Sequence, residues 1–194
     1  PGPVFAHVVL ADEINRAAAK TQSALLEVME ERTVTVDGVP HAVPDPFLVV
    51  ATQNPVDLDG TYRLPEAQLD RFMLCTALGY PDVEDELEIL RPGGRAGSVA
   101  DVPAITTPEQ VVQQTRLLAR VHVAEPILRY VRAIGAHTRG DERLKLGVST
   151  RGLRVLVRCA QVYAAGQGRH YVVPSDIQHL AGPVLAHRLQ PSRA

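Results

Sequence analysis

The chain has only two cysteines, Cys75 and Cys159, far apart in sequence, and neither stands in a CxxC or Cys/His cluster. That spacing offers no disulfide framework and no thiolate zinc site, so both read as reduced, buried small hydrophobes. It also lacks an excess of charge of either sign. With 20 Lys+Arg against 22 Asp+Glu, the net charge is -2, which gives no electrostatic footprint for nucleic acid or an anionic membrane. It contains no apolar run long enough to span a bilayer and no basic-then-apolar leader, so a cytoplasmic protein without membrane insertion is expected. Its first residues, Pro1-Gly2-Pro3, include no Met and run straight into a strand, which reads as a piece of a longer protein. The rest of the composition is ordinary. Hydrophobic residues at 45% and charged residues at 22% of 194 suffice for a core in one larger or two small domains.

The stretch from His7 to Arg16 organises the chain. Val8, Val9 and Leu10 read as a buried strand that ends abruptly in two acids, Asp12 and Glu13, before a helical pattern begins. Two carboxylates at the carboxyl end of such a strand are costly unless they hold a cation or move protons. That edge is also where open α/β sheets bind ligands. The plainer alternative is a strand ending in solvent. His7 reads as an edge histidine, because no second His or Cys stands at metal spacing.

Residues 16–32 read as an amphipathic helix with Ala24, Leu25, Val28 and Met29 as its buried stripe. Lys20, Glu27, Glu30 and Glu31 lie off that stripe and read as a solvated face. Thr33 to Val36, Asp37-Gly38 and the residues from Val39 form a hairpin pattern. Residues 47–51 read as a second buried strand, ending in Thr52, Gln53 and Asn54. Residues 57–64 read as a loop, with Tyr62 and Arg63 as loop packing and solvent charge. Residues 65–71 read as a short helix or turn, and residues 72–78 as a third strand.

Composition shifts at Pro81. An acidic helix over 82–90 and a Pro/Gly linker over 91–103 lead into an all-helical remainder. Helix starts stand at Thr107-Pro108, Glu125-Pro126, Ser149-Thr150 and Pro174. Gly182-Pro183 is expected to break or kink the last helix. The organisation is thus a partial α/β core over 1–80, a connecting helix and linker over 81–106, and a small all-α domain over 107–194.

Three strands flanked by Asp12-Glu13, Asn54 and Arg71 make the parts list of a nucleotide site. Asp12 suits hydrated Mg²⁺, Glu13 can orient or deprotonate water, and Asn54 can hold that water. Arg71 and Arg151 are candidate cations for phosphoryl oxygens, since guanidinium is always charged and forks onto oxyanions. Each also has a plain reading: Arg71 as a partner of Asp70 or a helix end, and Arg151 as part of a basic surface turn with Arg154 and Arg158.

The runs Gly2-Pro-Val-Phe-Ala6, Leu10-Ala-Asp-Glu-Ile-Asn-Arg-Ala17 and Lys20-Thr-Gln-Ser-Ala-Leu-Leu-Glu-Val-Met-Glu-Glu-Arg32 resemble the MoxR family of AAA+ ATPases. Ala51-Thr-Gln-Asn-Pro55, Gly60-Thr-Tyr62, Leu64-Pro-Glu-Ala-Gln-Leu-Asp-Arg-Phe72 and Gly147-Val-Ser-Thr-Arg151 continue the match. The resemblance implies the C-terminal part of an α/β P-loop core, a three-layer α/β/α sheet without its first strands, followed by a helical lid. It implies ATP and Mg²⁺ as cofactors. Asp12 and Glu13 would be the Walker B pair, Asn54 sensor 1, Arg71 an arginine finger acting on a neighbouring subunit, and Arg151 a sensor 2 touching its own subunit's nucleotide. It further implies a homo-oligomeric ring, a hexamer, that acts as a chaperone-like remodeller of protein clients, among them von Willebrand factor A domain proteins.

No GxxxxGK[ST] occurs in the chain, nor any Gly-Lys pair. Without that backbone cradle and lysine, ATP binding by this stretch alone is expected to be weak or absent. Since the resemblance implies a central phosphate-loop strand, the sheet should show a gap, be completed by another segment, or rearrange. Two other readings compete. One is a catalytically dead interaction module; the other is an enhancer-binding transcription activator, whose Walker B region looks alike.

Overall fold

The computed structural model describes residues 2–54, 64–91 and 102–192. Strand β1 (Val8–Ala11) is followed by a 3-10 turn (Ile14–Arg16), helix α1 (Ala19–Glu31), strands β2 (Thr33–Val36) and β3 (Val39–Ala42), and strand β4 (Leu48–Ala51). β1 and β4 pair in parallel, with Val8 opposite Leu48 and Ala11 opposite Ala51. A parallel pair needs a long crossover, here supplied by α1 and the hairpin. β2 and β3 pair antiparallel. Asp37 (φ 51°) and Gly38 (φ 80°) both take the positive φ that a primed two-residue turn demands.

The inward side chains Val9, Ala11, Val49 and Ala51 pack on α1 through two small clusters, one around Leu26 and Ile14, the other around Val28 and Phe47. The opposite face is uncovered. Val8, Leu10, Leu48 and Val50 are each 43–66% exposed, so both strands alternate rather than being buried throughout as the sequence suggested. Parallel strands ordinarily carry layers on both faces, and among the described residues this pair carries one. On α1, Leu25, Val28 and Met29 of the expected stripe pack into these clusters, while Ala24 does not. Gln22, Leu26 and Met29 stand at i, i+4 and i+7 toward the sheet, Leu26 is fully buried, and Ala24 is exposed. Buried Gln22 is satisfied, since its Nε2 donates to the Ile14 carbonyl at 3.0 Å and the Ala17 carbonyl at 3.2 Å.

Helices α2 (Glu66–Leu69), α3 (Val83–Leu90) and α4 (Pro108–Leu118) follow. Residues 72–78 are not a strand. An apolar run becomes a strand only beside a pairing partner, and here the Cys75 N–H donates instead to the Pro183 carbonyl of the helical domain at 2.9 Å. Leu78 is almost wholly exposed, and Cys75 is exposed rather than buried. The expected features over residues 57–63 and 92–101, the Gly60-Thr-Tyr62 motif, Arg63 and most of the linker among them, lie outside the described residues.

The helical domain continues with α5 (Glu125–Gly140), β5 (Leu144–Leu146), α6 (Thr150–Gly166), α7 (Pro174–Leu185), a 3-10 turn (Ala186–Arg188) and β6 (Gln190–Pro191). Its starts follow the caps read from sequence. Thr107 and Gln110 form a reciprocal capping box, and the Ser149 hydroxyl accepts the Gly152 N–H at 3.0 Å. One contiguous core joins α5, α6 and α7 through Val131, Leu156, Ala160, Ile177 and Val184. Two departures stand out. β5 and β6 pair antiparallel inside the nominally all-helical domain. Pro183 does not break α7, because it falls in the last turn, where buried Val184 and Leu185 anchor the helix and Arg188 Nη1 donates to the Val184 carbonyl. Packing there outweighs the single backbone bond that proline forfeits.

Candidate functional site

The acidic pair sits where β1 ends, and the parallel register brings the end of β4 beside it. Thr52 stitches the two together. Its hydroxyl accepts the Glu13 N–H at 2.8 Å and donates to Asp12 Oδ1 at 2.5 Å. Its N–H donates to the Ala11 carbonyl at 3.1 Å, and its carbonyl accepts the Ile14 N–H at 3.0 Å. Glu13 itself has left-handed backbone angles, φ 48° and ψ 49°, a conformation costing about 1 kcal/mol for a non-glycine residue. The Thr52 contacts hold it there. Glu13 Oε2 pairs with Arg16 Nε at 3.1 Å. Asn54 lies two residues beyond Thr52, at the same sheet edge.

The fit to Mg²⁺ can be judged from the donors. Asp12 is an exposed hard-oxygen ligand oriented by one hydroxyl, and no group of three or more His, Cys, Asp or Glu side chains converges among the described residues. Mg²⁺ usually keeps several waters and takes one or two carboxylates plus phosphate, so this donor set suits it.

Arg71 and Arg151 meet at one carboxylate. Glu30, near the end of α1, offers Oε2 to Arg71 Nε at 3.0 Å and Oε1 to Arg151 Nη1 at 2.9 Å. The structure thus gathers Glu30, Arg71 and Arg151 together while Glu30 stays exposed. Arg71 also lines an open cleft of about 720 Å³ between α1 and β2, beside Glu27, Glu31 and Gln68.

Asp70 performs the complementary task on the backbone. The Ser149 hydroxyl, which caps the helix bearing Arg151, donates to Asp70 Oδ2 at 3.0 Å. Arg188 donates through Nε to Asp70 Oδ1 at 2.9 Å and through Nη2 to the carbonyls of Asp70 (3.2 Å) and Phe72 (2.6 Å). Arg71 is therefore bracketed by two carbonyls that one arginine holds. The Arg188 side chain is 1% exposed. Burial pulls its guanidinium below the ordinary value while Asp70 opposes that, and a guanidinium stays charged under both influences. His187, beside it, faces the Phe72 carbonyl at 3.2 Å. Burial, seconded by the Arg188 charge, pushes its imidazole below the ordinary value.

Thr52, Glu30, Asp70 and Arg188 were not picked out from sequence as site residues. Thr52 alone carried a usable signal, a hydroxyl at the end of a strand two residues before a candidate asparagine.

Residues 1–74 match the ATPase family associated with various cellular activities (AAA), and residues 136–194 match the AAA lid domain. The chain is 46% identical over 189 residues to the uncharacterised protein YeaC of Bacillus subtilis, spanning 97% of this chain and 59% of that protein. It is 41% identical to chaperone MoxR1 of Mycobacterium tuberculosis, spanning 97% of this chain and 52% of that one. Protein MoxR of Paracoccus denitrificans is 29% identical, at 97% and 62%. A crystal structure from Cytophaga hutchinsonii, of a protein classed as an ATPase by inference, superposes with a TM-score of 0.90 at 39% identity, covering 98% of this chain and 61% of that one. The chain thus spans little more than half the length of these relatives.

Proposed function

Because the chain belongs to the MoxR family of AAA+ ATPases, we propose that it carries the acid pair, the sensing asparagine and the arginines of a Mg²⁺-dependent ATP-hydrolysing ring. The observation that carries this reading is the Thr52 clasp, which fixes Asp12 and Glu13 in one orientation at the sheet edge shared with Asn54.

In this reading Asp12 is the ligand for Mg²⁺, which when bound neutralises charge on the phosphate oxygens. Glu13, its backbone pinned by Thr52, orients the attacking water and takes its proton. Asn54 donates to the same water. Arg71 and Arg151 meet charge on the phosphoryl oxygens. Two guanidiniums within 3.0 Å of one carboxylate are placed to serve the same phosphate chain, so we assign both to the nucleotide of the neighbouring subunit. The chain has no phosphate loop, so we assign tight ATP binding to a protein of the relatives' length. Its ring, a hexamer by resemblance, would act on protein clients, with von Willebrand factor A domain proteins as the first to test.

A mixing experiment on the gene product of the relatives' length tests the assignment. Glu13→Gln and Arg71→Ala should each abolish turnover. Mixed rings should regain part of it, because some interfaces then pair an intact Glu13 with an intact Arg71. Absence of recovery in co-assembled rings contradicts the assignment.

A further inference from the structure

We infer that Glu30 is a positioning residue for both arginines. The inference rests on the reading that Arg71 and Arg151 act on phosphate. Three observations carry it. First, Glu30 uses a different carboxylate oxygen for each arginine, at 3.0 Å to Arg71 Nε and 2.9 Å to Arg151 Nη1. One carboxylate thereby fixes the separation of two cations that come from different domains, 80 residues apart in sequence (151 − 71).

Second, the contact atoms suit the task. Arg71 engages through Nε and Arg151 through a single Nη, so each guanidinium keeps further N–H donors for an oxyanion while its plane is held from behind. A lysine at either position would offer a point charge without that fork. The bridge also offsets part of the repulsion between two like charges brought close together.

Third, Glu30 is not on a free loop. It lies in the last turn of α1, whose first turn is tied by Gln22 to the Ile14 and Ala17 carbonyls directly behind the acidic pair. A helix of 13 residues is a rod of about 20 Å. The helix therefore ends at the carboxylate that holds the arginines, and its first turn is tied to the 3-10 turn that follows Asp12-Glu13.

The test compares Glu30→Gln, Glu30→Asp, Arg71→Ala and Arg151→Ala in the gene product of the relatives' length. Glu30→Gln keeps shape and removes charge. It should lower kcat by about 10- to 100-fold and raise the KM for ATP, as expected when reacting groups are misplaced by about 1 Å. Glu30→Asp should recover part of the loss in kcat. Arginine side-chain NMR gives a second readout: the Arg71 Nε–H resonance should move and exchange faster with water in Glu30→Gln. If Arg71→Ala and Arg151→Ala each cripple turnover while Glu30→Gln leaves turnover and the Nε–H resonance unchanged, Glu30 has no positioning role. If the two arginine variants turn over normally, the reading of the arginines fails and the inference falls with it.

Discussion

Arg188, the last residue of the 3-10 turn after α7, and Asp70, immediately before Arg71, form a salt bridge 2.9 Å long with the arginine side chain 1% exposed. It joins the two domains across 118 residues of sequence. Removing one partner of a buried pair strands the other charge, which typically costs about 3–5 kcal/mol. Arg188→Ala should therefore lower unfolding stability by about 3 kcal/mol and loosen the packing of the helical domain on residues 70–75. Denaturant unfolding with proteolysis of the 194-residue chain would show it; unchanged stability would mean the bridge contributes nothing net.

Gly152 makes room for that arginine. A Cβ there would lie 2.8 Å from Arg188 Cδ and 2.9 Å from Val148 Cγ1. Gly152→Ala should cost about 1–3 kcal/mol, the usual range for overpacking. At Gly147 a Cβ would lie 2.6 Å from the Thr138 backbone carbonyl oxygen. Backbone moves less readily than an arginine stem, so Gly147→Ala should be the worse of the two by thermal melting.

Thr52→Val tests the clasp on the acid pair. It keeps the β-branched shape and removes the hydroxyl, leaving the Glu13 N–H without its acceptor and Asp12 Oδ1 without its donor. ATP turnover in the gene product of the relatives' length should fall by about tenfold or more, while Thr52→Ser should retain most of it. Equal turnover in the two variants would remove Thr52 from the site.

The His187 imidazole is held below its ordinary value by burial. In the unfolded chain it takes up a proton more readily than in the folded one, so its contribution to stability is present above the unfolded value, about 6.5, and is lost as pH falls below it. Asp176 is likewise shifted downward, from 3.8, by its bond with Arg169, so its stabilisation is lost only as pH falls below that value, outside this window. Lowering the pH from about 7.5 to about 5.5 should therefore destabilise the domain contact through His187. Comparison of melting curves for wild type and His187→Gln checks this; the same pH slope in both would exclude His187.

Local signals carried most of the fold. The caps at Thr107 and Ser149, the Asp37-Gly38 turn and the two strands ending in polar residues are decided within a few residues, and all appear in the structure. Residues 72–78 misled because apolar character says nothing about whether a neighbouring strand is present. Pro183 misled because its cost depends on how far it stands from the helix end and on what anchors that end. In the candidate site, Asp12, Glu13 and Asn54 were legible as polar residues at strand ends, and Arg71 and Arg151 from their motifs. Glu30 was not, because a carboxylate in a charge run looks the same whether it faces water or two arginines 41 and 121 residues away. Asp70 and Arg188 are equally silent until the two domains meet.

The most direct measurement is ATP turnover by this 194-residue chain and by the gene product of the relatives' length, each as wild type and as Glu13→Gln. The account predicts turnover in the longer wild type alone, with Glu13→Gln still binding nucleotide. Turnover that survives Glu13→Gln, or no turnover in a longer protein that assembles normally, would contradict it.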